Sequence, residues 1–398
     1  MLTTRRARRA AAVPAVLVAA ALALTACTGD RGSSPGATTP PPSTQAAPEV
    51  TVEGVPAELA GLVEQVYTGT GEVLASATAA AALAGRSAAT GPVSGQGAIG
   101  AARGDRVAVV TVQDDVTLAV AEGADDAGGT EWRVVGGWWP SLGVEQPSVG
   151  EVPRLVAVVG SDARPGEDAA RSRADSLHLV GLDGTGAGGV VGIPRDSWVP
   201  DSTGGEGRIN AELSRGGPEA MLGALERVSG LDLEGQVVTG FSGFVAMVDA
   251  LGGVSLDLDR ALQDPAADLD LPAGQQTVDG TDALAYSRTR KTQPRGDIDR
   301  QLNGGSVILA AGVAVRAAGP LALPRLLEAS DPELVTDLPA EQLLTFAAGV
   351  LRADPARVPN VVLPARPGTT PGGASVVFLE DGAPAVFADL VDGALETG

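Results

Sequence analysis

The chain has 398 residues, a formal net charge of −21 and 44% hydrophobic residues, which is enough apolar material for a large core although only 3% are aromatic. The acidic balance argues against nucleic acid as a partner, because phosphates require a basic surface. A single cysteine and a single histidine exclude an internal disulfide, zinc clusters and Ser-His or Cys-His nucleophilic pairs.

The first 27 residues predict an export signal. Four arginines lie within residues 5–9, and an uncharged, alanine-rich run follows from Ala10 to Ala26. Leu24-Thr25-Ala26-Cys27 is similar to a bacterial lipobox, which predicts a lipoprotein signal peptide over 1–26 and a lipidated Cys27. The alternative is an uncleaved signal anchor, but Pro14 and the shortness of the run favour the lipoprotein. We therefore expect a lipid-anchored protein on the extracytoplasmic face of a bacterial cell membrane.

Two further regions precede the main domain. Residues 27–48 are rich in Ser, Thr and Pro and indicate a tether. Residues 49–150 predict a small α+β accessory region of unknown role, with a helical stretch over 56–85 and alternating strands near 106–112 and 132–135. Gly95-Gln96-Gly97-Ala98-Ile99-Gly100 matches a dinucleotide-binding pattern, but no apolar strand precedes it, so a glycine-rich surface loop is expected there.

From about residue 151, apolar strands alternate with helical patterns. Strands are predicted at 155–159, 177–182, 189–193 and 253–258, and helices at 217–229 and 241–251. Such alternation indicates an α/β layered domain, in which ligands bind beside strand ends. The sole histidine, His178, lies within an apolar strand and is expected to be a packed strand residue.

Residues 286–301 collect five cations in an otherwise acidic chain. These are Arg288, Arg290, Lys291, Arg295 and Arg300, and Lys291 is the only lysine. Guanidinium groups make paired hydrogen bonds to phosphate oxygens, and carboxylates hold the hard divalent ions that accompany phosphates. The segment therefore fits a pyrophosphate clamp, whereas composition alone leaves a solvated basic loop as the alternative.

Seven short motifs follow one another from residue 160 onwards. They are Gly160-Ser161-Asp162-Ala163-Arg164, Arg173-Ala174-Asp175-Ser176, Ile193-Pro194-Arg195-Asp196-Ser197, Arg208-Ile209-Asn210-Ala211, Val248-Asp249-Ala250-Leu251-Gly252-Gly253-Val254, the stretch from Gly280 to Arg290, and Asp299-Arg300-Gln301. This series resembles the LytR-CpsA-Psr family over 151–318, and residues 319–398 resemble that family's C-terminal continuation.

The resemblance implies an α/β/α sandwich with a mostly central sheet, preceded here by the accessory region, and an apolar channel for a polyprenyl chain. Members of the family attach undecaprenyl-pyrophosphate-linked glycopolymers to peptidoglycan outside the bacterial membrane. The implied function is a membrane-anchored phosphotransferase with undecaprenyl phosphate as leaving group, and pyrophosphatase activity is a further expectation. The expected partners are the lipid-linked glycopolymer, peptidoglycan and, through the lipid anchor, the cytoplasmic membrane.

The resemblance also implies roles for individual residues. Asp162 and Asp175 would hold Mg²⁺ or another divalent cation, and Arg195 would contact the pyrophosphate, so that these three are the candidate catalytic residues. Arg288, Arg290 and Arg300 would bind the same pyrophosphate. Lys291 and Arg295 are expected to lie on the rim of the site, where exposed cations contribute little.

Two departures from the family pattern bear on activity. The family usually has Arg-Ser-Asp-Thr followed by apolar residues, whereas this chain has Arg173-Ala174-Asp175-Ser176 and then His178. Gly304 stands where the family often has a glutamine, so one side-chain donor is missing. The alternatives are a non-catalytic polyprenyl-phosphate-binding lipoprotein of the cell envelope and a solute-binding lipoprotein of a transporter. Retention of Asp162 and Asp175 favours the enzyme.

Overall fold

Helices cover both faces of a six-stranded mixed sheet in the larger part of the protein. The computed structural model describes residues 51–69, 72–124, 130–290, 293–330 and 334–396, so Cys27 and Lys291 lie outside the described residues. The helices are α1 Ala60–Tyr67, α2 Ala77–Leu83, α3 Ala211–Ser229, α4 Phe241–Ala250, α5 Gly280–Arg288, α6 Asp297–Ala318, α7 Leu323–Ser330, α8 Ala340–Arg352 and α9 Ala383–Leu390.

The strands are β1 Val52–Glu53, β2 Val93–Ser94, β3 Gln96–Ala102, β4 Asp105–Val112, β5 Asp115–Ala124, β6 Thr130–Trp138, β7 Arg154–Ser161, β8 Ala174–Leu182, β9 Gly188–Gly192, β10 Trp198–Pro200, β11 Glu206–Arg208, β12 Gly235–Thr239, β13 Val254–Leu258, β14 Leu262–Asp264, β15 Leu269–Leu271, β16 Gly274–Val278, β17 Leu334–Thr336, β18 Asn360–Val362, β19 Ala365–Thr369 and β20 Ser375–Leu379. The central sheet has the order β17-β12-β7-β8-β9-β18.

The central sheet is buried on both faces. On one face, Met221 and Leu225 of α3 and Phe387 of α9 pack with Leu177 and Leu179 of β8. On the other face, the helices α6 and α8 pack against alternate residues of the same strands. Burial on both sides explains why these strands are continuous apolar runs rather than alternating ones. This arrangement confirms the expected α/β/α sandwich.

The middle of the sheet differs from the predicted alternation of strand and helix. Strands β7, β8 and β9 follow one another directly and pair antiparallel, with Ala157 opposite Leu179 and Leu179 opposite Val191. Parallel pairing occurs only further out in this sheet, where β12 lies beside β7 and β18 lies beside β9. Antiparallel neighbours can be joined by short connections that need no crossover helix, which accounts for the difference.

The region before residue 150 contains a four-stranded antiparallel sheet in the order β3-β4-β5-β6. Helices α1 and α2 pack on one face of this sheet, and α7 and α8 of the main domain pack on the other, where Leu118 and Val135 meet Leu344 and Ala348. The described residues between 51 and 396 belong to one compact unit. The accessory region and the main domain therefore share a hydrophobic core.

Two local predictions in the accessory region are wrong. The helical stretch 56–85 is two short helices, because Leu74 and Ser76 make backbone hydrogen bonds of 2.8 Å to Val134 of β6 between them. The stretch Gly95–Gly100 lies mostly in edge strand β3 rather than in a loop. Its glycines allow close contacts, since a Cβ on Gly97 would lie 2.8 Å from Leu59 and one on Gly100 would lie 2.5 Å from the Pro324 carbonyl oxygen.

The helix predicted at 217–229 begins earlier in the structure, at Ala211, and is kinked at Gly217. Gly217 has a φ of +76°, which glycine adopts readily, and Pro218 follows it without a backbone N–H, so the regular helical hydrogen bonds are interrupted at this point.

Within the described residues, no single helix is long and apolar enough to cross a membrane. The bent pair formed by Asp297–Ala318 and Pro320–Ser330 meets length and composition criteria only when the two helices are taken together.

Candidate active site

A cavity of about 350 Å³ lies between the central sheet and the helices α4, α5 and α6. Its apolar part is lined from the sheet by Val158 and Val237, from α4 and its end by Phe241, Phe244, Met247 and Leu251, from α5 by Leu284, and from α6 by Val307, Ile308 and Ala311. The spacing of the α4 residues places them on one face of the helix. An apolar compartment of this kind suits a hydrocarbon chain.

Charged residues line the same cavity. They are Asp175, Arg195, Asp264, Arg288, Arg290 and Arg300. The structure thus brings together five of the six residues that the sequence singled out for catalysis or pyrophosphate binding. Asp162 is not part of the lining, although its neighbour Ser161 is. Arg295 also lies outside the lining, with an exposed side chain paired to Asp299 at 2.7 Å.

A β-bulge places Asp175 in the cavity. Gly160 of β7 pairs with Ser176, and Ser161 pairs with Ala174, so Asp175 is the extra residue of the bulge. Asp175 lies within β8 rather than in a loop beside a strand end. Without the bulge, alternation would turn its side chain towards the face that carries Leu177 and Leu179. A bulge at a site can reorient a side chain in this way.

Arg195 and Asp175 form an ion pair at the cavity wall. Arg195 Nη1 donates to Asp175 Oδ1, and Arg195 Nε lies 3.9 Å from both Asp196 and Asp297. Burial disfavours the charge on Arg195, but the neighbouring carboxylates, Asp175 foremost, outweigh burial and raise its pKa. The guanidinium therefore stays charged in a partly buried position.

Asp297 is a member of the site that the sequence analysis did not include. Its Oδ1 atom lies 2.6 Å from Arg300 Nη2, and burial raises the pKa of Asp297 although Arg300 and Arg195 oppose this. Burial also lowers the pKa of Arg300, with partial compensation by Asp297. Its position three residues before Arg300 was the available signal, since residues at that spacing share a face in a helix such as α6.

The two other arginines lie at the exposed side of the cavity. The Arg288 guanidinium carbon is 4.5 Å from the centre of the Phe241 ring, a cation-π contact between α5 and α4. Arg290 is exposed, and its backbone N–H donates to Asp264 at 3.4 Å. Both side chains are exposed, so their guanidinium groups can turn towards an anionic group that enters the cavity.

His178 is buried within β8, as expected for a packed strand residue, with 1% of its surface exposed. It also contacts the site: Nδ1 lies 3.1 Å from Ser176 Oγ, and Nε2 lies 2.9 Å from the Gln301 carbonyl oxygen. A Cβ on Gly304 would lie 2.8 Å from His178 Cε1, so helix α6 passes too close to β8 for a side chain there. The two departures from the family pattern are thus in direct contact.

Two carboxylates, Asp162 and Asp175, are the candidate ligands of the expected divalent cation, and substrate would have to supply further oxygen ligands. Among the described residues, no group of three or more His, Cys, Asp or Glu side chains could hold a metal ion. Asp162 Oδ1 accepts the Arg173 backbone N–H at 2.8 Å, and Asp175 is paired with Arg195. Mg²⁺ is commonly held by one or two carboxylates with substrate phosphates and water completing its shell, so the donor chemistry fits a cation bound together with a phosphate substrate.

Comparison with protein families gives a match to the LytR_cpsA_psr family over residues 145–386. The probable cell wall biosynthesis protein LcpB of Corynebacterium glutamicum is 38% identical over 155 residues, which cover 36% of this chain and 37% of that protein. TagU of Bacillus mycoides, a polyisoprenyl-teichoic acid–peptidoglycan teichoic acid transferase, is 32% identical over 173 residues, 43% of this chain and 55% of that protein. The matches thus span about two fifths to one half of these relatives.

Solved structures support the same fold. A protein from Streptococcus agalactiae, gbs0355, has a TM-score of 0.54 at 21% identity and covers 62% of this chain and 90% of its own. Bacillus subtilis TagV has a TM-score of 0.52 at 20% identity, covering 60% and 95%. Because the family match extends over more than half of the 398 residues, this chain belongs to the LytR-CpsA-Psr family.

Proposed function

We propose that this protein transfers a glycopolymer from a polyprenyl-pyrophosphate carrier to peptidoglycan, with polyprenyl phosphate as the leaving group. One observation carries the proposal: a cavity whose interior is apolar also bears four arginines, Arg195, Arg288, Arg290 and Arg300. A polyprenyl pyrophosphate has the matching structure, a long hydrocarbon joined to a compact anion. Relatives named as teichoic acid transferases and cell wall biosynthesis proteins support this class of reaction.

The chemistry needs little covalent help from the protein. In phosphoryl transfer, positioning the reactants and neutralising the charge that spreads over the phosphate supply most of the acceleration. Arg300 is suited to this role because its Nε and Nη2 atoms are buried and make no hydrogen bond to any described residue, despite the nearby Asp297 carboxylate. Arg195 Nε is likewise buried and makes no hydrogen bond to any described residue. These donors are available to oxygens of an incoming pyrophosphate.

The remaining groups complete the proposed site. Arg288 and Arg290 would close over the pyrophosphate from the exposed side, and Phe241, Phe244 and Met247 would hold the first isoprene units. Asp175, with Asp162 at the end of the neighbouring strand, would hold a divalent cation, which when bound would neutralise part of the pyrophosphate charge. The bond between the sugar-bearing phosphorus and the oxygen that bridges the two phosphorus atoms breaks. Polyprenyl phosphate leaves with the bonding electrons and takes up the proton that the attacking hydroxyl group of the acceptor loses.

The acceptor and the location belong to the same proposal. A hydroxyl group of peptidoglycan would attack the sugar-bearing phosphorus, which requires the site to face the cell wall. Lipidation of Cys27 and the tether over 27–48 would hold the protein at the extracytoplasmic face of the cell membrane. Hydrolysis of the pyrophosphate, with water replacing the peptidoglycan hydroxyl, would be the side reaction of the same geometry.

The test uses the full chain in detergent micelles and begins with binding. Farnesyl pyrophosphate should bind more tightly than farnesyl monophosphate or inorganic pyrophosphate by about tenfold or more, because only the first both fills the apolar part of the cavity and offers two phosphates to the arginines. Turnover is then measured as release of polyprenyl phosphate from a saccharide-linked polyprenyl pyrophosphate, with a soluble peptidoglycan fragment as acceptor. Binding without turnover would identify the non-catalytic lipid-binding alternative, and preference for a free solute would identify the transporter alternative.

A further inference from the structure

The imidazole of His178 occupies a space that Gly304 leaves open and that Gly192 borders. A Cβ built on Gly304 of α6 would lie 2.8 Å from His178 Cε1, closer than packed carbon atoms approach one another. A Cβ on Gly192 of β9 would lie 3.5 Å from His178 Nε2, which is ordinary contact. The ring is therefore enclosed between the sheet and the helix, and a side chain at position 304 would displace it.

The hydrogen bonds of His178 determine which ring nitrogen carries the proton. The Gln301 carbonyl oxygen can only accept, so Nε2 at 2.9 Å must donate. Burial, supported by the positive charge of Arg300 and opposed by the Gln301 hydrogen bond, lowers the pKa of His178 to about 4, so the ring is neutral near neutral pH. Nδ1 is then an acceptor, and Ser176 Oγ at 3.1 Å donates its proton to it.

This arrangement gives the Ser176 hydroxyl group a defined polarity. Its proton is directed towards His178, so the lone pairs of the oxygen face the cavity that Ser176 lines beside Asp175 and Arg300. An ionised phosphate has no proton to offer to these lone pairs. A sugar hydroxyl does, and a hydroxyl at this end of the cavity is next to the place where the proposed transfer needs its nucleophile.

The same ring connects the strand to the helix that carries Arg300. Gln301 is the next residue in α6, and its carbonyl group is held by His178 from β8. Asp175 and Ser176 lie in β8, three and two residues before His178. The imidazole thus sets the separation between the carboxylate side and the arginine side of the cavity.

We propose that His178 is a positioning residue that fixes Ser176 Oγ as a hydrogen-bond acceptor for the hydroxyl group of the acceptor saccharide, and that Gly304 is required to make room for the imidazole. This inference rests on the proposed transfer reaction. In this proposal Ser176 orients the attacking hydroxyl group. The absence of a side chain at Gly304 makes room for His178 and is more than the loss of a hydrogen-bond donor.

The first experiment separates the acceptor from the carrier lipid. With the full chain in micelles, transfer to a soluble peptidoglycan fragment is measured against acceptor concentration, and binding of farnesyl pyrophosphate is measured without acceptor. Ser176→Ala should raise the acceptor KM or lower the transfer rate by about tenfold, the effect of one lost hydrogen bond, while the affinity for farnesyl pyrophosphate changes by less than about twofold. Ser176→Thr keeps the hydroxyl group and should retain transfer. The exposed Ser214→Ala is the matched control.

Each result of this experiment has one meaning. Equal losses of transfer and of farnesyl pyrophosphate affinity in Ser176→Ala would overturn the inference, because the serine would then serve the pyrophosphate. Unchanged transfer in Ser176→Ala beside an active wild type would overturn it too, while leaving the proposed function intact. A wild-type protein that neither transfers nor hydrolyses would overturn the proposed function and the inference with it.

A double-mutant cycle tests the role of Gly304. Gly304→Ala should lower transfer by about tenfold when His178 is present and by less than about twofold in the His178→Ala background, because the group it displaces is then gone. Equal losses in both backgrounds would overturn the steric part of the inference.

Since His178 is the only histidine, nitrogen-15 NMR of the ring reports its protonation directly. A proton on Nε2 is expected at neutral pH, and a proton on Nδ1 would overturn the assigned polarity of Ser176.

Discussion

Asp297 Oδ1 lies 2.6 Å from Nη2 of Arg300, one helical turn further along α6. Arg300 is buried and Asp297 is half-buried, yet neither oxygen of Asp297 nor the Nη2 atom makes a well-aligned hydrogen bond to any described residue. The carboxylate therefore balances the charge of Arg300 without occupying its directional donors. A binding site for an anion benefits from this arrangement, because the counterion stabilises the empty site while the donors stay available.

We predict that Asp297→Asn destabilises the protein without ligand by about 2 kcal/mol, because Arg300 and Arg195 are left with less compensating charge. An anionic ligand should then stabilise the variant more than it stabilises the wild type. Thermal unfolding with and without farnesyl pyrophosphate measures both effects. The exposed Asp270→Asn serves as control, and an unchanged unfolding temperature in Asp297→Asn would show that the carboxylate does not balance these cations.

The arginines should differ in importance according to their burial. Alanine at Arg300 or Arg195 should lower turnover by about 100-fold, since each removes a desolvated charge and its donors, whereas the exposed Arg288 and Arg290 should cost about tenfold each. The measurement is release of polyprenyl phosphate at several substrate concentrations. Losses are expected in turnover as well as affinity, because negative charge on the leaving group grows during transfer.

Two further variants test the geometry of the donors and the position of the cation. Arg290→Lys retains the charge but loses the planar pair of donors, and turnover should fall clearly. Arg295→Ala should change turnover by less than about twofold, since Arg295 is exposed and paired with Asp299 outside the cavity. Equal and small effects at every arginine would mean that these cations do not serve the pyrophosphate and that it binds elsewhere.

Turnover should require a divalent cation and Asp175. A chelator should abolish wild-type turnover, and Asp175→Asn should reduce it strongly while lowering the free energy of unfolding by about 1 kcal/mol or less, because Asp297 and Asp196 remain near Arg195. Asp162→Asn tests the second proposed ligand, and the exposed Asp168→Asn is the control. Full turnover of Asp175→Asn in chelator would contradict the assignment of a cation to this residue.

The stability of the protein should contain a pH-dependent contribution from His178. The imidazole has an ordinary pKa of 6.5 in the unfolded chain and about 4 in the folded protein. Because the folded-state pKa is lowered, this contribution is complete above 6.5 and is lost as the pH falls towards 4, by about 3 kcal/mol in total. Urea unfolding of the wild type and His178→Gln across this range should give curves that diverge as the pH rises; parallel curves would contradict a buried, neutral ring.

Cys27 should carry the lipid anchor. Radiolabelled palmitate is expected to enter the wild-type protein and not Cys27→Ser, because the thiol is the site of acylation in the lipobox pattern Leu24-Thr25-Ala26-Cys27. The mature protein should begin at Cys27. A mature protein that still begins at Met1 would show that the first residues are an uncleaved signal anchor instead.

Much of the architecture followed from local patterns. The apolar runs at 155–159, 177–182 and 189–193 predicted β7, β8 and β9, because strands buried on both faces consist mostly of apolar residues. Pairing direction was not predictable in the same way, since it depends on how connections are routed and not on the strands themselves. The glycines of β3 were assigned to a loop because the close contact of Gly100 with Pro324, 224 residues later, leaves no local trace.

The sequence by itself determined the family, the layered α/β fold and the set of arginines that line the cavity, because motif order, apolar periodicity and charge are properties of the chain. Only the tertiary structure decided that Asp175 turns into the cavity through a β-bulge, that Asp297 balances Arg300, and that His178 fills the space above Gly304. Each of these depends on distances of a few ångströms between segments remote in sequence or on register between paired strands, and such distances are fixed by packing of the whole core.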